Sequence, residues 1–179
     1  MPRLKSLEKS QAGPKSQTLM ADLEAKKMLL NIFRGMANSP AVLDAYLKFS
    51  GALQQGKLDA KTRHAIALAV AQFNRCGYCL AAHTMLGKGA GLDDAAIRDA
   101  RLGKSVDRKI NAAVSLAFQV LAGRGNVSDT DASVARSAGL DDGDIAEVIA
   151  NVALNLFTNY FNNFNQSEVD LPKVPVNIA

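Results

Sequence analysis

The sequence is poor in the features that build disulfide frameworks and membrane spans. Its 179 residues include only two cysteines, and a chain of this length can bury a sufficient apolar core without a disulfide or metal staple. No run approaches the roughly 18 apolar residues of a membrane span, and the N-terminal segment lacks the apolar core of a secretory signal. We therefore expect a soluble, cytoplasmic protein with no membrane association, in which a close cysteine pair is more often catalytic or metal-binding than structural.

Excess positive charge is scarce outside the N-terminal segment. The formal net charge is +4, and residues 1–17 contribute +3 of it. These residues carry one acidic and four basic side chains, namely Glu8 and Arg3, Lys5, Lys9 and Lys15. The remainder has too little charge for the basic surface that binds a phosphate backbone. We expect no nucleic-acid binding, a flexible basic leader over residues 1–17, and a single helical domain over residues 18–179.

Alternating β-branched runs, the signal of strands, are scarce as well. Alanine-rich segments instead repeat apolar residues at helical spacing, which predicts an all-α fold. Ser39 and Pro40 suit a helix start, Gly91 suits a helix end, and Asp93 suits the cap of the next helix. The predicted helices cover residues 18–37, 40–53, 59–73, 76–89, 93–101, 106–123, 129–137 and 142–163.

The last predicted helix carries two stripes of side chains. Four asparagines recur at four-residue steps, at Asn151, Asn155, Asn159 and Asn163. The other face is apolar and aromatic, with Leu154, Phe157, Phe161 and Phe164. An amide stripe beside an aromatic stripe predicts a contact surface that packs against another subunit or against the rest of the fold, with a ligand-facing role as the less favoured interpretation.

Both cysteines and one of the two histidines fall within the stretch RCGYCLAAH. We expect Asn74 to cap a helix that begins at Arg75. Cys76, Cys79 and His83 then stand at positions i, i+3 and i+7 on one face. Two thiols at this spacing can oxidise to a disulfide, amides at a helix start favour a thiolate, and His83 can exchange a proton at neutral pH. These are the components of a dithiol that reduces peroxides through a sulfenic acid and a disulfide.

The second histidine, His64, stands twelve residues before Cys76 at the head of the apolar segment RHAIALAVAQFN. This segment predicts a buried helix that could lie beside the cysteine helix. Three interpretations of the cluster stay open: a redox dithiol, two buried core cysteines, and a zinc site. The zinc ligands would be His64, Cys76, Cys79 and His83. Their order is unlike the common zinc-finger or ribbon spacings, and no strand precedes the CxxC as in a thioredoxin-type oxidoreductase.

The run RHAIALAVAQFNRCGYCLAAHTMLGKGAGL resembles the core of the alkylhydroperoxidase AhpD and carboxymuconolactone decarboxylase-like superfamily. The stretches NIFRGMANSPAVLDAYLKFSGAL and VALNLFTNYFNNFNQSEVDLP resemble it too, so the similarity covers about residues 18–172. Because it contains CxxCxxxH, the chain is most similar to the peroxidase-related branch. The resemblance implies an AhpD-like helical domain with the CxxC at the start of a core helix, a homo-oligomer (trimer or hexamer), and thiol peroxidase activity without metal or prosthetic group.

The resemblance also implies a role for each site residue. In this superfamily the second cysteine, here Cys79, attacks the peroxide and the first, here Cys76, resolves the intermediate. The helix-start argument alone favours Cys76 as the more acidic thiol. The relay glutamate of the superfamily is replaced here by His64, and an unperturbed imidazole has a pKa of about 6.5, roughly two units above that of glutamate. We therefore expect His83 and His64 to move protons, with a pH dependence that differs from that of a glutamate relay.

The sequence thus predicts an antioxidant thiol peroxidase with Cys79, Cys76, His83 and His64 as catalytic residues. The expected partners are a small-molecule hydroperoxide, a thiol reductant of unknown identity and further copies of the chain, and no cofactor is expected. Two other functions stay open. One is a non-enzymatic helical module that binds zinc through the same four residues, and the other is a carboxymuconolactone decarboxylase-type enzyme.

Overall fold

The computed structural model describes residues 1–178, which form helices and loops and contain no strand. The predicted all-α fold is confirmed. In this described part of the chain a short 3-10 turn (Lys9–Gln11) precedes nine α-helices: α1 (Pro14–Ala25), α2 (Asn31–Met36), α3 (Pro40–Gln54), α4 (Ala60–Phe73), α5 (Gly77–Gly89), α6 (Asp94–Arg101), α7 (Arg108–Ala122), α8 (Asp129–Ser137) and α9 (Asp142–Asn165).

Several helices begin at a side chain that can cap them. In each of five cases the side chain before the helix accepts a backbone N–H from three residues later, which satisfies a group that has no partner within the helix. These caps are Asp59, Asp93, Asp107, Ser128 and Asp141. The starts of α4, α6, α7, α8 and α9 therefore follow from local sequence.

The prediction of one helix over residues 18–37 is wrong, because the chain breaks between α1 and α2. Lys27 adopts a left-handed φ of 56°, and Met28 donates its N–H to the carbonyl of Leu23 over 2.8 Å. This pattern closes the end of α1 as a Schellman turn. The residues after the break, Met28, Leu29 and Leu30, still pack against the core, so apolar periodicity does not reveal it.

The first residues of the chain, Arg3 and Leu4, lie against the C-terminal end of α9. Arg3 donates its N–H to the carbonyl of Asn165, and Leu4 donates to the Asn165 side chain, each over 2.8 Å. Helix α1 begins at Pro14, four residues before its predicted start. The flexibility of residues 1–17 in solution, and the single domain over residues 18–179, stay predictions.

Helix α4 is the central element and packs against α5, α6, α7 and α9. Residues 65–71 are each at most 1% exposed. Four of these seven residues are alanine, and small side chains allow neighbouring helices to approach closely. The polar residues at the two ends of α4 therefore lie against α5 and α9. None of the described helices is long and apolar enough to cross a membrane.

Candidate active site

The turn between α4 and α5 places the first cysteine. Arg75 adopts a left-handed φ of 52°. Its N–H binds the carbonyl of Gln72, and the N–H of Cys76 binds the carbonyl of Ala71 over 2.9 Å. This is a second Schellman turn, with Arg75 where glycine is most common. Asn74 ends α4 rather than capping α5, so the predicted cap at Asn74 is wrong and the cap of α5 is Cys76 itself.

Cys76 accepts hydrogen bonds at the start of α5. Its sulfur takes the N–H of Cys79 over 3.3 Å, and its side chain is fully buried. A hydrogen bond from the Cys79 thiol lowers the pKa of Cys76, and the N–H groups of Cys79 and Tyr78 act in the same direction against the effect of burial. The helix start thus favours a thiolate at Cys76, as expected from its amides.

Cys79 has the opposite tendency. Burial, and then the neighbouring Cys76, raise the pKa of Cys79, while hydrogen bonding from Asn162 and Asn159 lowers it. Asn162 donates its Nδ2–H to the sulfur over 3.4 Å. The two cysteines are free and interact with one another, so that the pKa of Cys76 is lowered and the pKa of Cys79 is raised.

The two histidines meet across α4 and α5. Nδ1 of His64 lies 3.3 Å from Nδ1 of His83. Burial lowers the pKa of His64 to about 4, with a smaller contribution from the charge of Arg63. Burial also lowers the pKa of His83 to about 3, with His64 adding to the effect and a hydrogen bond with Asn155 opposing it. Both rings are therefore neutral near pH 7, and one ring donates its Nδ1–H to the other.

A cavity of about 740 Å³ joins these groups. Its polar lining includes Cys79, His64 and His83. The wall is largely apolar elsewhere and comes from several helices, with Leu19, Leu23, Leu47, Leu53, Ala67 and Leu86 among its members. Lys26 and Lys48 are exposed residues of the same lining. The volume suits a small organic molecule.

Cys76 is absent from the described lining of this cavity. Cys76 is the N-cap of α5, one residue before the first helical residue, and it is fully buried. The prediction that Cys76 shares one face with Cys79 and His83 stays a prediction. Cys79 and His83 stand one turn apart on α5 and line the cavity together, as their spacing predicts.

Three asparagines of the α9 amide stripe, Asn151, Asn155 and Asn159, are buried, and the fourth, Asn163, is exposed. Asn151, Asn155 and Asn162 line the cavity, while Phe157 and Phe164 are 40% and 59% exposed. The favoured interpretation, packing against the rest of the fold, agrees with the burial of Asn151, Asn155 and Asn159, and the ligand-facing role stays a prediction. Sequence reasoning missed Asn162, which lies three residues after Asn159 and so breaks the four-residue step. Its signal was the high density of asparagine in this helix.

A C-terminal segment, residues 166–178, closes the other side of the cysteine turn. The hydroxyl of Tyr78 donates to Asp170 over 2.7 Å, and Asp170 also accepts the N–H of Asn31 over 2.8 Å. A methyl group of Val176 lies 3.3 Å from the position that a Cβ on Gly77 would occupy. This segment, missed by sequence reasoning, therefore passes directly over the start of α5.

Arginine and glutamine side chains form hydrogen bonds with the same segment closer to its C-terminal end. Arg101 donates to the carbonyls of Pro175 and Val176 over 2.7 and 3.1 Å. Gln72 donates to Val176 over 3.0 Å, and Arg75 reaches Asn177 at 3.4 Å. The segment is thus tied to α4, to the turn and to α6.

The four residues of the alternative zinc site are not gathered into one ligand set. Within residues 1–178 no group of three or more histidine, cysteine or acidic side chains has the geometry to hold a metal ion. His64 and His83 contact each other through Nδ1, whereas the Cys76 sulfur contacts the N–H of Cys79. The donor set therefore does not fit a tetrahedral zinc ion.

Comparison with known proteins gives a sequence match over part of the chain. Residues 40–123 match the model of the Carboxymuconolactone decarboxylase family. A stretch of 45 residues is 51% identical to an uncharacterised protein of Haemophilus influenzae and covers 25% of this chain and 40% of that protein. The chain thus spans about two fifths of the length of the curated relative that it matches.

Solved structures share the fold over nearly the whole chain. An uncharacterised peroxidase-related protein of Ralstonia eutropha with an alkylhydroperoxidase AhpD core has a TM-score of 0.83 at 20% identity, covering 94% of this chain and 92% of that one. A peroxidase-related protein of Silicibacter sp. TM1040 has a TM-score of 0.79 at 21% identity, covering 94% of each chain.

A third similar structure is the debrominase Bmp8, solved as a cysteine-to-alanine variant in complex with 2,3,4-tribromopyrrole. It has a TM-score of 0.79 at 16% identity, covering 95% of this chain and 92% of that one. The matched segment confirms the resemblance to the carboxymuconolactone decarboxylase family over residues 40–123, and the peroxidase-related structures with an AhpD-type core share the fold of nearly the whole chain.

Proposed function

We propose that the protein is a thiol peroxidase that reduces hydroperoxides through a dithiol–disulfide cycle. The observation that carries this proposal is that Cys79 lines the cavity beside His64 and His83 while it is hydrogen-bonded to Cys76. A nucleophile and proton carriers therefore lie around one space that an organic peroxide can enter, and the second thiol interacts with the nucleophile.

The first step is attack by Cys79 on the terminal oxygen of the hydroperoxide. Cys79 passes its proton to Cys76 or to the histidine pair, and its sulfur bonds to the oxygen as the O–O bond breaks. The electron pair leaves on the alkoxide, which takes up the proton and departs as an alcohol. Cys79 becomes a sulfenic acid, oxidised by two electrons.

The second step is closure of the disulfide. The thiolate of Cys76 attacks the sulfenic sulfur of Cys79, and hydroxide leaves and is protonated to water. The hydrogen bond between the two side chains supports this step, since the sulfurs are already neighbours. An external thiol reductant then restores both thiols by exchange. The cycle requires no prosthetic group.

The histidine pair suits a proton relay at neutral pH. A neutral imidazole has one donor and one acceptor nitrogen, so a proton that arrives at one ring of the His64–His83 pair displaces one from the other. The low pKa of each ring keeps the pair neutral near pH 7, so the pair passes a proton on and does not retain it. His64 thus replaces the glutamate of the superfamily in the proposed relay.

We also propose that copies of the chain associate. The outer face of α9 exposes three aromatic side chains, Phe157, Tyr160 and Phe164, at 40%, 62% and 59%. Aromatic residues exposed together on one helix are typical of protein interfaces. Sedimentation of the purified protein, with Tyr160→Glu as the matched variant, tests whether this face holds a trimer or hexamer together.

The direct test of the enzyme is to mix the reduced protein with one equivalent of cumene hydroperoxide and to count free thiols. We expect both thiols to disappear, one equivalent of alcohol to form, and mass spectrometry to find a bond between Cys76 and Cys79. Retention of two free thiols would contradict the peroxidase function.

Reductive dehalogenation is a second candidate, favoured by the similarity to the debrominase Bmp8 and by the largely apolar cavity beside Cys79. Two thiols and one aryl bromide would give the disulfide, the debrominated arene, bromide and a proton. Bromide release from 2,3,4-tribromopyrrole by the reduced protein, with thiols that persist in hydroperoxide, would favour this function over the first.

A further inference from the structure

Asn162 both lines the cavity and touches the sulfur that reacts in the proposed function. Its Nδ2–H donates to Sγ of Cys79 over 3.4 Å, and its side chain is 4% exposed. The other half of the amide, Oδ1, is buried and has no hydrogen-bond partner in the described part of the chain. Such an acceptor is uncommon, because a buried oxygen has lost water and gained nothing in exchange.

The proton shared by the two cysteines accounts for the orientation of this amide. A Cys79 thiol that donates its hydrogen to the sulfur of Cys76, which accords with the raised pKa of Cys79, leaves a lone pair on the Cys79 sulfur for the Nδ2–H of Asn162. Nδ2 therefore faces the sulfur, and Oδ1 is left over. The acceptor without a partner is thus found together with a free dithiol.

We propose that Asn162 is a catalytic residue that binds the oxygen atom which the peroxide transfers to Cys79. This inference rests on the peroxidase function. As the S–O bond forms and the O–O bond breaks, the hydrogen on the attacked oxygen stays on that oxygen and is donated to Oδ1 of Asn162. The electron pair leaves on the alkoxide and takes the proton that Cys79 had released. The sulfenic acid therefore completes the hydrogen bonding of an amide that lacks a partner in the reduced protein.

This role narrows the substrate class. The attacked oxygen must carry a hydrogen, as it does in hydroperoxides, and dialkyl peroxides lack it. An oxygen that donates to Oδ1 is also held beside the sulfur, so the amide orients the substrate in addition to binding the product of the first step.

The test compares two reactions of the same sulfur. Alkylation of Cys79 by iodoacetamide, followed by mass spectrometry, depends on the thiolate and needs no acceptor at Oδ1. Disulfide formation with cumene hydroperoxide depends on both. For Asn162→Leu we expect the ratio of the hydroperoxide rate to the alkylation rate to fall about 10- to 100-fold, as for the loss of a buried hydrogen bond made during the reaction.

Two further variants separate the two halves of the amide. Asn162→Asp keeps an acceptor oxygen but places negative charge beside the sulfur, so alkylation should slow while the ratio stays close to that of the unmodified protein. Asn159→Leu is the matched control, because Asn159 lowers the pKa of the same thiol but is not among the residues that line the cavity. It should change both rates equally.

The outcomes distinguish this inference from the function on which it rests. Unmodified protein that keeps both thiols in hydroperoxide overturns the peroxidase function. Unmodified protein that forms the disulfide, together with an unchanged ratio in Asn162→Leu, overturns only the role of Asn162 and leaves the amide as an influence on thiol acidity. If Asn162→Leu does not fold, a ratio in Asn162→Asp that falls as far as expected for leucine overturns the acceptor role.

Discussion

The two cysteines belong to one turn of the chain but have different surroundings. Cys79 is on the open side, where it lines the cavity with the histidine pair and contacts Asn162. Cys76 is on the closed side, fully buried at a turn that the C-terminal segment covers. The more acidic thiol is therefore the less accessible one. This difference indicates that access to the oxidant, rather than acidity alone, separates the attacking sulfur from the resolving sulfur.

Replacing each cysteine in turn with serine should have the largest effect and should show which sulfur attacks the peroxide and which one resolves the intermediate. For Cys79→Ser we expect the rate of hydroperoxide reduction to fall by at least about 10³-fold, as for loss of a nucleophile. For Cys76→Ser we expect the first turnover to proceed and a sulfenic acid to accumulate at Cys79. Stopped-flow measurement of peroxide loss and dimedone trapping with mass spectrometry check both expectations. A sulfenic acid trapped on Cys76 in the Cys79→Ser protein would reverse the two roles.

Much of the fold could be predicted because it depends on local signals. Capping residues such as Asp59 and Asp93 mark helix starts, and the apolar segment 65–71 predicts the buried central helix. The break after α1 escaped prediction because Lys27 adopts a left-handed conformation that lysine rarely shows, and no glycine marks it. Left-handed Arg75 shifted the start of α5 for the same reason.

The candidate site could be predicted only in part. Its reactive side chains are close together in the sequence, whereas the residues that surround them are distant in the sequence. The spacing of Cys79 and His83 fixes their common face, whatever the rest of the fold does. The contact of His64 with His83 depends on how α4 packs against α5. The covering of Cys76 depends on Asp170, ninety-four residues further along the chain. No pattern near the CxxC reports such a contact.

Protonation of the histidine pair on the open side of the site should lower the free energy of unfolding. The folded pKa values of about 4 for His64 and about 3 for His83 lie below the value of about 6.5 in an unfolded chain. Between these values the unfolded state binds more protons than the folded state, so the free energy of unfolding falls as the pH is lowered from about 6.5 towards 4. Urea unfolding across this range measures the slope.

The carboxylates of the protein titrate in part of the same range, so the control is the double variant His64→Gln with His83→Gln. We expect its unfolding free energy to depend less steeply on pH between about 6.5 and 4 than that of the unmodified protein. Equal slopes would mean that the two rings titrate normally in the folded protein and are not shielded by burial.

Weakening the contacts that hold the C-terminal segment over Cys76 should reduce the difference in accessibility between the two cysteine sulfurs. Asp170→Asn exchanges a carboxylate oxygen for an amide nitrogen, which leaves either Tyr78 or the N–H of Asn31 without its acceptor. We expect the free energy of unfolding to fall by about 1 kcal/mol, and alkylation of Cys76 to rise several-fold relative to that of Cys79. Peptide mapping after brief exposure to iodoacetamide measures this ratio. Glu168→Gln is the control, because the contact of Glu168 to Asn31 uses its backbone carbonyl.

The smallest expected change in the free energy of unfolding comes from replacing the left-handed residue of the turn between α4 and α5. Arg75 and Lys27 hold left-handed φ values of 52° and 56° at equivalent Schellman turns, a conformation that disfavours residues with a Cβ by roughly 1–2 kcal/mol. Glycine relieves this cost but increases the freedom of the unfolded chain. We therefore expect Arg75→Gly and Lys27→Gly each to raise the free energy of unfolding by about 1 kcal/mol or less, measured in urea.

Lys27→Gly serves as the reference for the backbone effect, because Lys27 is exposed and lies in the α1–α2 connection, away from the cysteine turn. Arg75 additionally reaches Asn177 at 3.4 Å, a long contact of an exposed side chain that should contribute little. A gain from Arg75→Gly equal to that from Lys27→Gly would assign the covering of Cys76 to Asp170, Arg101 and Gln72. A loss of stability from Arg75→Gly would instead mean that the arginine itself fastens the C-terminal segment over the resolving sulfur.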